Sequence, residues 1–264
     1  MRLEEYQTIK FDRRGRVLTM TLNRPEALNA VSGRLHTELS HLFYDVQLDE
    51  DSDILVLTGA GRAFSAGGDF QQMIKANKAE SIHGDLLEAK KMIYGLLDLE
   101  KPIISKINGD AMGLGATLAL FCDVIFAADT ARIADPHVSV GIAAGDGGAI
   151  IWPQLIGYAR AKHYLMTGEA IKGDEAAKIG LVNFAFSTDT LDDEVDAYAD
   201  KLAAGAQDAI RWTKVATNIG LKQLAHSIMD VGLGYENVTI KSQDHAEGIA
   251  AFLEKRKPRF GQGR

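Results

Sequence analysis

Two side chains that can move protons stand close together in the second half of the chain. His137 follows an Asp-Pro pair, and Asp146 lies nine residues further on in a Gly-Asp-Gly-Gly sequence. An imidazole with an ordinary pKa of about 6.5 exchanges a proton near neutral pH, and a nearby carboxylate can orient it or stabilise its charged form. The pair therefore suggests acid–base chemistry. A hydrogen-bonded structural histidine and a carboxylate that caps the next helix are the alternatives.

Two glycine-rich loops offer a second kind of chemistry. Residues 59–69 follow the apolar strand 54–58, residues 109–115 follow the apolar strand 103–107, and a helix comes after each loop. Glycine lets a backbone turn tightly and approach a ligand, and the N–H groups at a helix start favour negative charge. Each loop can thus contribute one backbone N–H to a shared oxyanion hole. Ordinary strand-to-helix turns are the alternative, because they also need glycine.

The composition is that of an ordinary globular protein. The 264 residues are 46% hydrophobic and 25% charged, which suits one large domain or two small ones. A formal net charge of −7 argues against a nucleic-acid partner. The single Cys122 excludes a disulfide framework within the chain, and we expect no metal site. The N-terminus has no apolar signal core and no run is long enough to span a bilayer, so we expect no membrane partner and a cytoplasmic location.

Hydrophobic periodicity divides the chain into a mixed front part and a helical rear part. Short apolar strands alternate with helices up to about residue 190, a pattern that favours α/β structure with parallel pairing. From Leu191 onward the pattern is helical to about Arg256. We therefore predict two regions, residues 1–190 and 191–264. Periodicity alone does not distinguish a doubly wound sheet from a spiral of ββα repeats.

Several stretches, in the same order along the chain, resemble the crotonase superfamily of enoyl-CoA hydratases and isomerases. Residues 22–30 resemble its first CoA-binding loop, and residues 57–69 and 102–115 resemble its two oxyanion segments. Later matches lie at residues 164–168, 176–182 and 250–260. The resemblance covers nearly the whole chain. It implies a crotonase-like spiral of ββα repeats followed by a helical C-terminal oligomerisation region, in a homotrimer or a dimer of trimers.

The resemblance also implies an activity on acyl-CoA thioesters. In this family two backbone N–H groups hold the thioester oxygen while an enolate forms, and by position they would belong to Ala66 and Leu114. The residues expected to contact CoA are Arg24, Ala27, Leu28, Ala66, Asp69, Lys255 and Lys257. A helix cap at Asp69 and a solvated helix end at the two lysines are the alternatives. The resemblance implies no cofactor beyond the CoA of the substrate.

The sequence departs from the family hydratases at both of their catalytic glutamates. Thr117 stands at the first position and His137 at the second, so a mechanism with two glutamates around a water cannot be transferred. The spacing of His137 and Asp146, followed by Trp152 and Pro153, resembles the 6-oxocamphor hydrolases of the same superfamily. Those enzymes cleave a carbon–carbon bond of a β-diketone, but their additional histidine has no counterpart in this sequence.

These observations leave several functions open. The leading hypothesis is hydration or dehydration of an enoyl-CoA, with His137 transferring protons and Asp146 supporting it or acting on water. Carbon–carbon hydrolysis of a β-diketone or a β-ketoacyl-CoA by the same pair is the second. An acyl-CoA-binding homologue without catalytic activity is the third. A nucleotide-dependent oxidoreductase is disfavoured, because Gly113-Leu-Gly115 completes only part of a dinucleotide-binding motif.

Overall fold

The strands of the protein divide between two sheets. The computed structural model describes residues 2–69, 71, 74 and 83–261. Its strands are β1 (Ile9–Arg14), β2 (Val17–Leu22), β3 (Ile54–Gly59), β4 (Ala63–Ser65), β5 (Ile103–Ile107), β6 (Asp110–Met112), β7 (Val124–Ala128), β8 (Arg132–Ala134), β9 (Ile171–Lys172) and β10 (Phe184–Phe186). The larger sheet has the order β1-β2-β3-β5-β7-β10 and the smaller one β4-β6-β8-β9. Pairing is antiparallel at β1–β2 and β8–β9 and parallel at every other pair of these strands.

Helices connect and cover the strands. They are α1 (Gly33–Gln47), α2 (His83–Asp98), α3 (Leu114–Leu120), α4 (Gly148–Ile156), α5 (Tyr158–Thr167), α6 (Gly173–Ile179), α7 (Leu191–Ala203), α8 (Gln207–Ile240) and α9 (Gln243–Leu253). Short 3-10 turns lie at Leu3–Glu5, Pro25–Ala27 and His137–Val140. None of these helices combines the length and the apolar character needed to cross a bilayer.

Successive strands alternate between the two sheets. Strands β3, β5 and β7 belong to the larger sheet, and β4, β6 and β8, which follow them directly in the chain, belong to the smaller one. A helix then returns the chain to the larger sheet, as α2 does before β5 and α3 does before β7. The fold is therefore a spiral of ββα repeats followed by helices, which confirms the predicted fold class and excludes the doubly wound sheet.

One hydrophobic core runs through both predicted regions. All six residues of β3 are buried, as is usual for a parallel strand covered on both faces. Val195 and Ala199 of α7 and Met229 of α8 lie in the same buried cluster as the β3 side chains. The chain is helical from Leu191 through α9, although the division into two domains stays a prediction.

Candidate active site

The two glycine-rich loops lie against each other at the start of α3. Gly67 has a φ angle of +82°, and a Cβ at this position would lie 2.6 Å from the carbonyl oxygen of Met112. A Cβ on Gly115 would lie 2.6 Å from the Cβ of Ser65. Only glycine permits such a close approach. The missing side chains therefore bring the end of β4 into contact with the end of β6.

The first loop is anchored by the segment that precedes α1. Asn29 is fully buried, and its side-chain amide donates to the carbonyl oxygens of Ala60 and Ala63, each at 2.9 Å. A short parallel bridge follows, in which the Val31 N–H donates to the Gly67 carbonyl at 2.7 Å. These bonds decide which amides of the loop remain available to a ligand.

The geometry corrects one of the two predicted oxyanion donors. The N–H of Ala66 donates to the carbonyl oxygen of Leu28 at 2.9 Å, so the assignment of Ala66 is wrong. Two residues on, the N–H of Gly68 has no acceptor among the residues that the structure describes. The N–H of Leu114, the first residue of α3, also lacks an acceptor in that part of the chain. Gly68 and Leu114 line the same cavity.

This cavity has a volume of about 160 Å³, and several titratable side chains line it. Titratable side chains that line it include His36, Asp85, His137, Asp146, Glu236 and His245. A second cavity of about 360 Å³, bordered by Phe252 and Pro258, shares Gly68 and His137 with the first. The free amide of Gly68 and the imidazole of His137 therefore lie where the two cavities meet.

His137 lies between two carboxylates. The 3-10 turn after β8 places its Nδ1 in a hydrogen bond with Oδ1 of Asp135, and its Nε2 lies 3.5 Å from Oδ2 of Asp146. Because the Asp135 carboxylate accepts, Nδ1 carries a hydrogen, which leaves Nε2 to exchange protons on the side of Asp146. The structure thus brings the two predicted catalytic side chains together and adds Asp135 behind the ring.

The charges around the ring favour a protonated imidazole. Burial alone would lower the pKa of His137, but the carboxylates of Asp135 and Asp146 raise that pKa well above its ordinary value. Burial raises the pKa of Asp146, while the positive charge of His137 acts in the opposite direction. The imidazole and the carboxylate therefore titrate as a pair that can hold and pass on one proton.

Asp146 contacts both positions at which the family hydratases carry glutamates. The Thr117 hydroxyl on α3 donates to Oδ1 of Asp146 at 3.1 Å, and Oδ2 faces His137. Thr117 is fully buried, and Asp146 is only 5% exposed. The N-cap residue of α4 is Gly147, although the N–H of Gly148 at the helix start also interacts with the Asp146 carboxylate. The carboxylate is therefore placed where it can act on a molecule in the cavity.

The carboxylate of Asp135 fits against α4 because residue 148 is a glycine. A Cβ on Gly148 would lie 2.0 Å from Oδ2 of Asp135, so only glycine leaves room for this carboxylate. Oδ2 has no hydrogen-bond partner within the described ranges, and the residue is 1% exposed. Sequence analysis assigned no role to Asp135. Its place two residues before His137, which suits a carboxylate that orients the ring, was the available signal.

The same three side chains are close enough to hold a divalent cation. One donor atom from each of Asp135, His137 and Asp146 lies within 4.8 Å of the others. However, Nδ1 of His137 is already bonded to Asp135, so the ring offers only Nε2 to a metal. We interpret the cluster as a proton-transfer network, and the expectation of no metal stays a prediction.

Two more polar side chains in the cavity wall were missed by sequence reasoning. Burial raises the pKa of Glu236, on α8, to about 8. His245, on α9, has its Nδ1 2.7 Å from the carbonyl oxygen of Val140. One signal for Glu236 existed, because it shares a helix face with the buried residues Leu233 and Ile240, where a charge is unexpected. His245 had no comparable signal.

The residues predicted to bind CoA through the first loops are partly brought together. A guanidinium nitrogen of Arg24 lies 3.5 Å from Oδ2 of Asp69, and the 3-10 turn that follows Arg24 contains Ala27 and ends at Leu28. Oδ1 of Asp69 also accepts a hydrogen bond from the Gln71 N–H at 2.9 Å, which is the geometry of a helix cap. Both interpretations of Asp69 therefore remain compatible with the structure.

The predicted lysines follow α9 in the chain. Lys255 and Lys257 are exposed beyond the end of α9, and neither borders the two cavities that share His137. Arg256, between them, does border the second cavity. Its guanidinium forms an ion pair with Glu247, and this pair lowers the pKa of Glu247 to about 2.

Comparisons with known proteins agree with this architecture. The family model for enoyl-CoA hydratase/isomerase matches residues 12–263. The short-chain-enoyl-CoA hydratase of Clostridium acetobutylicum is 33% identical over 258 residues, which cover 96% of this chain and 97% of the relative. The crotonyl-CoA hydratase of Syntrophomonas wolfei is 34% identical over 257 residues, with coverages of 97% and 98%. Both of these relatives are named as hydratases, which are lyases.

A solved structure gives the same result. The crystal structure of an enoyl-CoA hydratase/isomerase from Mycobacterium paratuberculosis superposes with a TM-score of 0.88 at 33% identity, covering 92% of this chain and 97% of that one. The matched family model spans the two loops, the His137 network and the C-terminal helices. The chain belongs to the enoyl-CoA hydratase/isomerase family.

Proposed function

We propose that this protein hydrates an enoyl-CoA, or dehydrates the corresponding β-hydroxyacyl-CoA, with His137 and Asp146 in place of the family's glutamates. The observation that carries the proposal is the position of Asp146. Its two carboxylate oxygens lie 3.1 Å from the Thr117 hydroxyl and 3.5 Å from Nε2 of His137, the two residues at the glutamate positions. The named activities of the relatives support an acyl-CoA thioester as substrate.

The thioester oxygen would be held by the N–H groups of Gly68 and Leu114. Both amides lack acceptors among the described residues, and both residues border the cavity that contains His137. Backbone donors that are fixed before the reaction stabilise an oxygen most when its charge grows. This pair therefore suits the enolate that forms when a nucleophile adds to the β-carbon of an enoyl thioester.

The side chains would supply the two proton transfers of hydration. Asp146 takes a proton from a water molecule as the water oxygen bonds to the β-carbon, and the electron pair of the double bond moves to the thioester oxygen. Protonated His137 then gives its Nε2 proton to the α-carbon of the enolate. The proton on Asp146 returns to Nε2 across 3.5 Å, which restores the starting state.

A direct assay of hydration tests this proposal. The absorbance of the conjugated thioester of crotonyl-CoA should fall on addition of the enzyme, and His137→Gln should lower kcat by about 100- to 10,000-fold because the proton donor is lost. Glutamine keeps a polar group of similar size, so the change reports on proton transfer. Binding of crotonyl-CoA without turnover in the wild type would contradict the proposal and favour the non-catalytic homologue.

Carbon–carbon cleavage of a β-ketoacyl-CoA is the second candidate. The carboxylate of Asp135 behind His137 favours it, since a carboxylate-oriented imidazole is an arrangement that activates a nucleophile toward a carbonyl carbon. Water would add to the β-carbonyl, and the bond to the α-carbon would break to give a carboxylic acid and a shorter acyl-CoA enolate. Mass spectrometry of the products from a β-ketoacyl-CoA would distinguish this reaction from hydration.

We also infer a homotrimer or a dimer of trimers, as expected from the family. Large apolar side chains on the last two helices support an interface there, because Tyr235, Val238 and Phe252 are each more than half exposed in the single chain. Light scattering coupled to size-exclusion chromatography would measure the assembly. A monomer at micromolar concentration would contradict this inference.

A further inference from the structure

The wall of the active-site cavity that α8 and α9 form carries two buried polar atoms without partners. Oε2 of Glu236 and Nε2 of His245 have no hydrogen-bond partner among residues 2–69, 71, 74 and 83–261. Both side chains border the cavity that contains His137 and Asp146, and His245 is fully buried. A buried polar group without a partner is destabilising, so native proteins usually pair such a group with an ordered water or a ligand.

The hydrogen-bonding character of His245 follows from its neighbour. Nδ1 lies 2.7 Å from the carbonyl oxygen of Val140, which can only accept, so Nδ1 carries the hydrogen. Burial lowers the pKa of this ring, which keeps it neutral. Nε2 is therefore a lone-pair acceptor at the cavity wall.

Glu236 has a complementary character. Burial raises the pKa of its carboxyl to about 8, so the group is mostly protonated at neutral pH. A protonated carboxyl can donate one hydrogen bond and accept another. The wall therefore presents a donor from Glu236 and an acceptor from His245.

The surroundings disfavour an anionic ligand group at this wall. Leu233 and Ile240 flank Glu236 on α8, and Ile142 completes an apolar border to the cavity. An anionic group would also be repelled by Asp146 and Asp135, whose two charges disfavour ionisation of Glu236 against the single positive charge of His137. A neutral hydroxyl satisfies both conditions, because it accepts from a carboxyl and donates to an imidazole nitrogen.

We propose that the acyl group of the natural substrate carries a hydroxyl beyond its β-carbon, and that this hydroxyl pairs with Glu236 and His245. Both side chains are then substrate-binding residues that select a hydroxylated acyl chain over a plain alkyl chain. The inference rests on the proposed function only in that an acyl-CoA occupies this cavity.

Equilibrium binding tests the inference without requiring turnover. Titration calorimetry would compare butyryl-CoA with γ-hydroxybutyryl-CoA, two saturated ligands that differ by one hydroxyl. The hydroxylated ligand should bind at least ten-fold more tightly to the wild-type protein. Equal affinity, or tighter binding of butyryl-CoA, would overturn the proposal. Because neither ligand can be hydrated, a failure of the hydratase proposal would leave this result unaffected.

Matched variants locate the effect. His245→Asn keeps a side-chain donor near the Val140 carbonyl but removes the Nε2 acceptor, and Glu236→Leu removes the carboxyl while keeping the volume. Each should reduce the preference for the hydroxylated ligand to about three-fold or less. Ile240→Val is the control, since it trims the same wall without changing its polarity and should leave the preference intact.

If Glu236→Leu does not fold, Glu236→Gln serves in its place and should retain part of the preference, because its amide still donates. Equal weakening of both ligands by His245→Asn would indicate a purely structural role and overturn the assignment of that residue. The same outcome for both Glu236 variants would overturn the assignment of Glu236.

Discussion

The two sides of the active-site cavity are made of different parts of the chain. One side is backbone, with the N–H groups of Gly68 and Leu114 placed by loops that touch through Gly67 and Gly115. The other side is a set of side chains centred on His137. The backbone side offers what any acyl-CoA thioester needs, a pair of donors for its oxygen. In our proposal, the side chains decide which reaction follows and which acyl group fits.

The two sides of the cavity also differ in how well they tolerate amino-acid substitutions. A Cβ at Gly67 would meet a backbone oxygen at 2.6 Å, so the loops tolerate almost no substitution there. The side chains of Asp135, His137 and Asp146, in contrast, are held by hydrogen bonds and by each other's charge. One fold can therefore keep two free loop amides while the side chains that face them differ, and this sequence departs from the family hydratases at both glutamate positions, where it has Thr117 and His137.

Removing one backbone donor should have a larger effect than changing the Asp146 carboxylate. Leu114 is the first residue of α3, where proline fits the backbone but has no N–H. Leu114→Pro should therefore lower kcat for enoyl-CoA hydration by about 100- to 1,000-fold, the usual cost of losing an oxyanion donor. Steady-state kinetics would measure it, with circular dichroism to check the fold.

Leu114→Ala is the matched control for this prediction. It removes most of the same side chain but keeps the amide, so its kcat should stay within about ten-fold of the wild type. Similar losses in the two variants would mean that the side chain, and not the backbone donor, is what matters at this position.

A change among the catalytic side chains should lower kcat somewhat less. Asp146→Asn keeps the shape of the carboxylate but cannot accept a proton from water, so kcat should fall by about 100-fold. Thr117→Val removes only the hydrogen bond to Asp146 and should cost less than ten-fold. If Thr117→Val were as damaging as Asp146→Asn, Thr117 itself would have to act on the water.

The backbone side was largely predictable from the sequence. Glycine spacing after two apolar strands located both loops, and Leu114 was placed at the start of its helix. The assignment of Ala66 as a donor was wrong because its amide is bonded to the carbonyl of Leu28. That bond joins loops 38 residues apart, and no local pattern reveals it.

The side-chain side was predictable only where its residues are close in sequence. His137 and Asp146 were paired from their spacing, and the structure places them 3.5 Å apart. Glu236 and His245 reach the same cavity from α8 and α9, about 100 residues later. Which face of those helices meets the cavity depends on tertiary packing, so the apolar spacing around Glu236 could mark an unusual position but could not place it in this cavity.

The raised pKa of Glu236 predicts a pH-dependent stability. Its carboxyl has a pKa of about 8 in the fold and about 4.5 in the unfolded chain, so the folded state binds more protons between these values. The free energy of unfolding should therefore fall as pH rises from about 5 to 8, by up to about 1.4 kcal/mol per pH unit from this group. Urea denaturation at several pH values would measure the slope.

Glu236→Gln isolates this contribution because glutamine does not titrate. As pH rises, the unfolding free energy of the wild type should therefore fall more than that of this variant. The raised pKa of His137 acts in the same direction and should be largely kept in the variant, because Asp135 and Asp146 raise that pKa more than Glu236 does. Parallel curves for the two proteins would show that Glu236 is solvated and ionised in solution.

The smallest effect is expected outside both sides of the cavity, at the lysines proposed to contact CoA. Exposed ion pairs contribute about 0–1 kcal/mol each, so Lys255→Ala with Lys257→Ala should raise KM about three- to ten-fold at low salt and leave kcat unchanged. The increase should shrink at high salt because mobile ions screen such contacts. Lys201→Ala, an exposed lysine on α7, is the control and should leave KM unchanged. An unchanged KM in the double variant would assign the two lysines to a solvated helix end, and CoA recognition would then rest on the Arg24 loop.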